Sequence, residues 1–212
     1  MSTFVRTSLG LLRSIYSPSQ FGIKPGYFHR KEVPHFDDTG NREEWQLEVY
    51  QYAANLMDER GYTKVVDVGC GSAHKLLKYM GTFQTLGVEI GETLSFLRNA
   101  FPERDWMSFE DVQTQKWVPD LVICADVIEH VLDPDLLVGQ LKTIAAGSNI
   151  ILSTPERDLK RGRWHYGPPP NPYHVREWNK KELTEFLGRH FQIIEHSISN
   201  HAQATQMVIC KG

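Results

Sequence analysis

Cysteine is scarce: Cys70, Cys124 and Cys210 are the only three thiols in 212 residues. An odd, sparse set inside apolar segments cannot frame a disulfide-stapled fold. It reads as reduced thiols and predicts a cytoplasmic protein. Long hydrophobic runs are also missing, so no membrane span is expected where a bilayer needs ~20 apolar residues in a row. Leu9-Gly10-Leu11-Leu12 is likewise too short for the apolar stretch of a signal peptide. Charge of one sign is not in excess: 23 Lys and Arg stand against 26 Asp and Glu, a net of −3. That balance leaves no basic footprint, and nucleic acid is not an expected partner. Acidic residues are absent before Glu32, whereas Arg6, Arg13, Lys24, Arg30 and Lys31 are present there. This composition suits an organelle transit peptide, a basic amphipathic lid helix or a plain surface arm. Residues 1–42 are therefore taken as an N-terminal arm or lid and 43–212 as the domain. Repeats, low-complexity tracts and interdomain linkers are absent.

Helical and strand periods alternate through the remainder. Trp45, Val49, Tyr52, Ala53 and Leu56 recur at helical spacing within 43–60, and Gly61 stops the run. Strands are predicted at 64–68, 84–89, 105–109, 119–124 and 149–153, with helices between the first, second and third and after the fourth. Asp133-Pro134 marks one helix start, with an acidic cap followed by proline at the first helical position. Asn179 with Glu182 marks another, through Leu187, as a capping box. Strands at 191–197 and 205–210 close the chain as an antiparallel hairpin at one edge. Strands alternating with helices make an α/β domain: a mostly parallel sheet with helices on both faces.

The first strand ends in Val66-Asp67-Val68-Gly69-Cys70-Gly71. Glycines there let a ligand approach the main chain, and the next helix N-terminus offers free amides. A dinucleotide fingerprint would need a third glycine where His74 stands, and no Lys-Ser/Thr pair makes a nucleotide P-loop. Glu89 ends the second strand, 18 residues past Gly71. A carboxylate at that place can accept from both hydroxyls of a ribose.

On these residues, together with Gly87-Val88-Glu89, Asp120-Leu121-Val122 and Asn149-Ile150-Ile151-Leu152-Ser153, the chain over roughly 43–212 resembles the class I S-adenosylmethionine-dependent methyltransferases. The resemblance implies a Rossmann-like seven-stranded sheet of order 3-2-1-4-5-7-6 with strand 7 antiparallel. It also implies S-adenosylmethionine as cofactor. Gly69, Cys70 and Gly71 would then bound the methionine moiety, Asp67 would orient the turn and the methionine ammonium, and Glu89 would hold the ribose. An acid after the third strand, Asp111 or its neighbour Glu110, would meet the adenine amino group.

Asp126-Val127-Ile128-Glu129-His130 follows the fourth strand, at the carboxyl end where open parallel sheets bind ligands. In one helical turn, positions i, i+3 and i+4 share a face, which would bring two carboxylates and an imidazole together. That set suits Mg²⁺ or Mn²⁺, with His174 or His165 as a fourth ligand. The element is similar to an acid-x-x-Glu-His stretch in methyltransferases of ubiquinone biosynthesis and of small-RNA 3′ ends, several of which hold a metal there. The alternative is that Glu129 and His130 only bond loop backbone and cap the next helix. Without metal, His130, His165 or His174 would serve as general base.

Residues 155–178 carry five prolines, two tryptophans, two tyrosines and two histidines. A segment this long between elements is usually functional or disordered. Trp164, Tyr166, Tyr173 and Trp178 offer flat faces to sugar rings or aromatic acceptors, with Trp178 alone assigned to the core. Arg157, Lys160, Arg161 and Arg163 face either an anionic group or solvent. His190, His196 and His201 are read as surface or structural. The preferred function is methyl transfer to a hydroxyl of a saccharide or other small molecule. Phenols and quinols are the near alternative. An RNA 2′-O-methyltransferase and a noncatalytic S-adenosylmethionine-binding module are the more distant ones.

Overall fold

The computed structural model describes residues 20–34, 36–114 and 117–212. Most of the stretch read as a transit peptide, lid or arm, residues 1–19, lies outside the described residues. Among the described residues no helix is long and apolar enough to cross a membrane.

The described helices are α1 (Leu47–Arg60), α2 (His74–Met80), α3 (Gly91–Ala100), α4 (Phe109–Thr114), α5 (Pro134–Ala145), α6 (Arg157–Arg161) and α7 (Lys180–Leu187). The strands are β1 (Lys64–Val68), β2 (Gln84–Val88), β3 (Asp105–Met107), β4 (Leu121–Ala125), β5 (Asn149–Pro155), β6 (Gln192–Asn200) and β7 (Thr205–Lys211). They form one sheet of order β3-β2-β1-β4-β5-β7-β6, the order the resemblance implies. The pairs from β3 through β5 are parallel, and β7 runs antiparallel to both neighbours.

The two-residue side-chain period of strands splits the core into two layers. Val66, Val68, Val122, Cys124, Ile150 and Leu152 face α5 and α7, where Leu141, Ile144, Leu183 and Phe186 are buried. Val65, Leu121, Ile123 and Ile151 face α1, α2 and α3, where Ala53, Met57, Leu76 and Leu97 are buried. Burial on both sides explains why β4, Leu121–Ala125, is apolar and buried at every position.

Both helix starts match their sequence signals. Asp133 Oδ1 accepts from the amides of Asp135 and Leu136, with Pro134 next, and Asn179 and Glu182 complete a reciprocal capping box. Several boundaries differ from expectation, among them the end of β5, which runs on to Pro155. α1 starts at Leu47, not 43, because Gln46 is left-handed (φ 62°) and Glu43 is drawn onto Lys78 and Tyr79 of α2. β3 stops at Met107, and Ser108 Oγ accepts the Asp111 amide to start α4, a helix too short for periodicity to reveal. β4 is displaced to Leu121–Ala125, and β6 extends to Asn200. The basic run of the long segment also needs correcting at Arg157. Its guanidinium faces neither ligand nor solvent: it is fully buried in a two-pronged pair with Glu182, at 2.5 and 2.9 Å. Trp178 is core, its Nε1–H donated to the Phe21 carbonyl at 2.8 Å.

Candidate active site

The carboxyl ends of β1, β2, β4 and β5 open into a cleft of about 750 Å³, roofed by Val33, Pro34, Phe36, Asp38 and Asn41 of the arm together with Trp45 and Gln46. That volume suits a cofactor-sized ligand and a reactant together. One half of the cleft is built on the glycine turn. Gly69 and Gly71 both have positive φ, 75° and 54°. A side chain on Gly69 would meet Val127 Cγ2 at 2.5 Å, and one on Gly71 would run into the Asp38 carboxylate. Only glycine leaves the turn open there. Glu89 braces it from the neighbouring strand: Oε1 accepts the Gly71 amide at 2.7 Å and Oε2 accepts the Ile90 amide at 3.1 Å.

Asp67 lies beneath the turn, fully buried. Its Oδ2 accepts the Tyr50 hydroxyl at 2.7 Å, while Oδ1 has no hydrogen-bond partner. Burial pushes its carboxyl up to about 7, against the opposing pull of the Tyr50 bond. Cys70 gives the turn only its backbone: its sulfur packs toward Gly87 and Trp106, and burial holds the thiol well above its ordinary range. Asp111 sits apart from these residues. Its exposed carboxylate is 3.6 Å from Arg98, and neither it nor Glu110 lines the cleft, whereas Ile90, Thr93 and Phe109 do.

The other half is assembled from three loops. After β4 the chain makes a tight turn, with the His130 amide bonded to the Val127 carbonyl at 3.0 Å. Asp126 is left-handed (φ 53°), and its Oδ1 accepts the Ser153 hydroxyl at 2.6 Å. Glu129 is buried, with Oε2 accepting from Thr154 at 2.8 Å and Oε1 unpartnered. Burial first, and the Asp126 charge second, push its carboxyl well above the usual range. His130 Nδ1 is 3.0 Å from the Tyr173 carbonyl. A carbonyl only accepts, so Nδ1 carries the proton and Nε2 presents a lone pair. Burial and the nearby His174 lower this imidazole to about 4. The His174 ring stands at 86° to that of His130, with centroids 4.8 Å apart, and Phe36 from the arm stacks on His130 at 5.5 Å.

Ligand atoms of Glu129, His130 and His174 all lie within 4.8 Å of one another. The structure thus brings together three of the four residues expected to hold a metal. Asp126 lines the same cleft, but its carboxylate turns to Ser153 instead of joining the trio. His165 is not brought in: its Nδ1 accepts the Gly167 amide at 3.3 Å, outside the cleft lining. Two further histidines have partners that sequence does not suggest, Asp135 for His190 and Thr184 with Gln206 for His196. Tyr50, Asp38, Phe36 and Asn171 also carry no sequence signal, because nothing local marks them. Their place depends on how α1, the arm and the long loop lie over the sheet.

A family model described as a methyltransferase domain matches residues 38–195, which takes in both halves of the cleft. The chain belongs to the S-adenosylmethionine-dependent methyltransferases. It is 30% identical over 146 residues to a probable S-adenosylmethionine-dependent methyltransferase of Mycobacterium tuberculosis, a match covering 66% of this chain and 51% of the relative. The chain thus spans about half the length of the curated relatives it matches. In fold this methyltransferase is similar to an S-adenosylmethionine-dependent methyltransferase from Clostridium acetobutylicum, with a TM-score of 0.60 and 13% identity over 78% of this chain and 91% of that one. It is also similar to the magnesium protoporphyrin IX methyltransferase of Synechocystis with bound S-adenosylhomocysteine, with a TM-score of 0.57 and 17% identity over 98% and 95%. The residues present fit the cofactor: the glycine turn leaves room that a Cβ would fill, and beneath it Asp67, buried and not among the residues lining the cleft, keeps a carboxylate oxygen with no hydrogen-bond partner.

Proposed function

We propose that this chain transfers a methyl group from S-adenosylmethionine to a hydroxyl of a saccharide or other small molecule, with a divalent cation of the Mg²⁺ or Mn²⁺ kind held by Glu129, His130 and His174. The observation behind this reading is the trio itself: a buried Glu129 carboxylate, one of its oxygens without a hydrogen-bond partner, with ligand atoms of two imidazoles within 4.8 Å. Mixed oxygen and nitrogen donors suit such cations, and a buried acceptor with no donor is otherwise costly. Asp67, Gly69, Gly71 and Glu89, with the backbone of Cys70, would hold the cofactor, which supplies a methyl on a sulfonium. A bound cation supplies Lewis acidity that makes a hydroxyl acidic near neutral pH. His130, with its ring proton on Nδ1 toward the Tyr173 carbonyl, would offer its Nε2 to the cation. Phe36 and Trp45 wall that side with flat apolar faces, and holding the two reactants in line lowers the barrier by several kcal/mol.

A second reading, with a phenol or quinol as acceptor, has support in Leu132 and Leu136. Both line the cleft, and both are more than half exposed, at 51% and 62%. Labelled-methyl transfer should be screened over sugars and phenols, with Mn²⁺ and with chelator. Transfer to a hydroxyl that chelator stops is the expected result. Transfer that chelator leaves unchanged would remove the cation from the reading, and labelling confined to amines or carbon would remove the hydroxyl.

A further inference from the structure

The hydrogen bonds around His174 have a fixed direction, and a backbone amide sets it. The Tyr173 N–H can only donate, and it does so to Asn171 Oδ1 at 3.0 Å. The other end of that side chain is therefore the amide nitrogen, which lies 2.9 Å from His174 Nε2. An amide N–H donates, so Nε2 must be a lone pair. The ring proton is then on Nδ1, which is 2.9 Å from Oε1 of the fully buried Glu177. Glu177 is itself fixed: its backbone amide bonds to the Tyr27 hydroxyl at 3.1 Å, and its Oε2 is 3.5 Å from Arg161 Nε. Arg30 pins the same loop by donating to the carbonyls of Asn171 and His174, at 3.1 and 2.9 Å.

We propose that Asn171 and Glu177 are positioning residues that orient the His174 ring with its proton on Nδ1 and its Nε2 as a lone pair, bonded to the Asn171 amide until a ligand replaces it. The value of that lone pair rests on the reading of the trio as a cation site. Tyr173 does double duty, because its carbonyl sets the His130 tautomer while its amide starts the chain that sets His174. Partners of this kind that orient an imidazole typically change metal affinity 10- to 100-fold.

The test is long-range ¹⁵N–¹H spectroscopy of the histidine-labelled protein near neutral pH, with the His174 signals assigned by loss in His174→Gln. The wild-type ring should show the Nδ1–H pattern. Asn171→Asp puts an acceptor where a donor stood, so the ring should lose the Nδ1–H pattern. Glu177→Ala leaves the Asn171 bond in place, so the Nδ1–H pattern should remain while the ring loses the partner that fixes its orientation. In both variants Mn²⁺ affinity should fall roughly 10- to 100-fold, while the His130 signals stay in place. Asn171 is only half-buried, so Asn171→Asp is decisive even where Glu177→Ala fails to fold. A wild-type Nε2–H pattern, or a wild-type pattern kept in Asn171→Asp, would overturn the proposal. If the pattern changes as expected but wild type takes up no Mn²⁺, the positioning role stands and the cation reading falls.

Discussion

The two halves of the cleft are built differently. The cofactor half is local: Asp67, Gly69 and Gly71 lie within five consecutive residues, and Glu89 is brought beside them by the β1–β2 pairing of Val68 with Val88. Its key contacts involve the backbone amides of Gly71 and Ile90, just past the ends of β1 and β2. The other half is gathered from distant stretches: Glu129 and His130 after β4, His174 on the long loop and Phe36 on the arm. It is held by clamps such as Arg157 with Glu182 and Arg30 with the carbonyls of Asn171 and His174. A local site tolerates loss of distant contacts, whereas a gathered one depends on every clamp that brings its loops in. The two halves should therefore fail separately.

The largest separation is expected from Glu129→Gln. Methyl transfer should fall by roughly a thousandfold, a scale set by the loss of a charged group at the reacting centre. Cofactor affinity by calorimetry should stay within about threefold. A parallel loss of both would mean that the halves are one unit. The next effect is on stability. Glu182→Ala leaves the Arg157 guanidinium buried with only Asp158 as a charged partner, and losing one side of a buried pair costs about 3–5 kcal/mol. Denaturant unfolding should show that loss, with cofactor affinity of the folded protein little changed. Glu89→Ala should do the reverse, weakening S-adenosylmethionine binding roughly 30-fold, the worth of charge-assisted hydrogen bonds, without moving the unfolding midpoint by more than a few degrees.

A further effect is a pH dependence expected in the cofactor half. Asp67 is raised from an ordinary 3.8 to about 7, so the folded protein holds a proton there between those values. Its contribution to stability is complete below pH 3.8 and is lost as pH rises through about 7. A cationic ammonium needs the carboxylate form. Affinity for S-adenosylmethionine should climb by up to about tenfold per pH unit toward 7 and then level, and Asp67→Asn should flatten the climb. A wild-type affinity independent of pH from 5 to 8 would separate Asp67 from the ammonium.

Much of the cofactor half is legible in the linear sequence. Glycines at a strand end and an acid one strand over are local signals, and their meaning survives any arrangement of the loops. The trio is half legible. Glu129 and His130 are adjacent, so spacing alone places them on one side of a turn, but spacing also puts Asp126 there. The left-handed backbone at Asp126, matched to the Ser153 hydroxyl on β5, sends that carboxylate elsewhere. Between His174 and His165, composition cannot choose. The choice comes from the Arg30 and Tyr173 contacts, which bring residues 171–174 over the cleft and leave 165 outside it.

Periodicity, capping pairs and turn chemistry act within a few residues, so they specify the alternating elements, the sheet type and the glycine cradle in the linear chain. Which imidazole meets Glu129, where His130 keeps its proton, and which arginine is buried depend on contacts between segments more than twenty residues apart. Those contacts follow from packing and from the pairing of buried polar groups, which exist only once the loops have closed over the sheet.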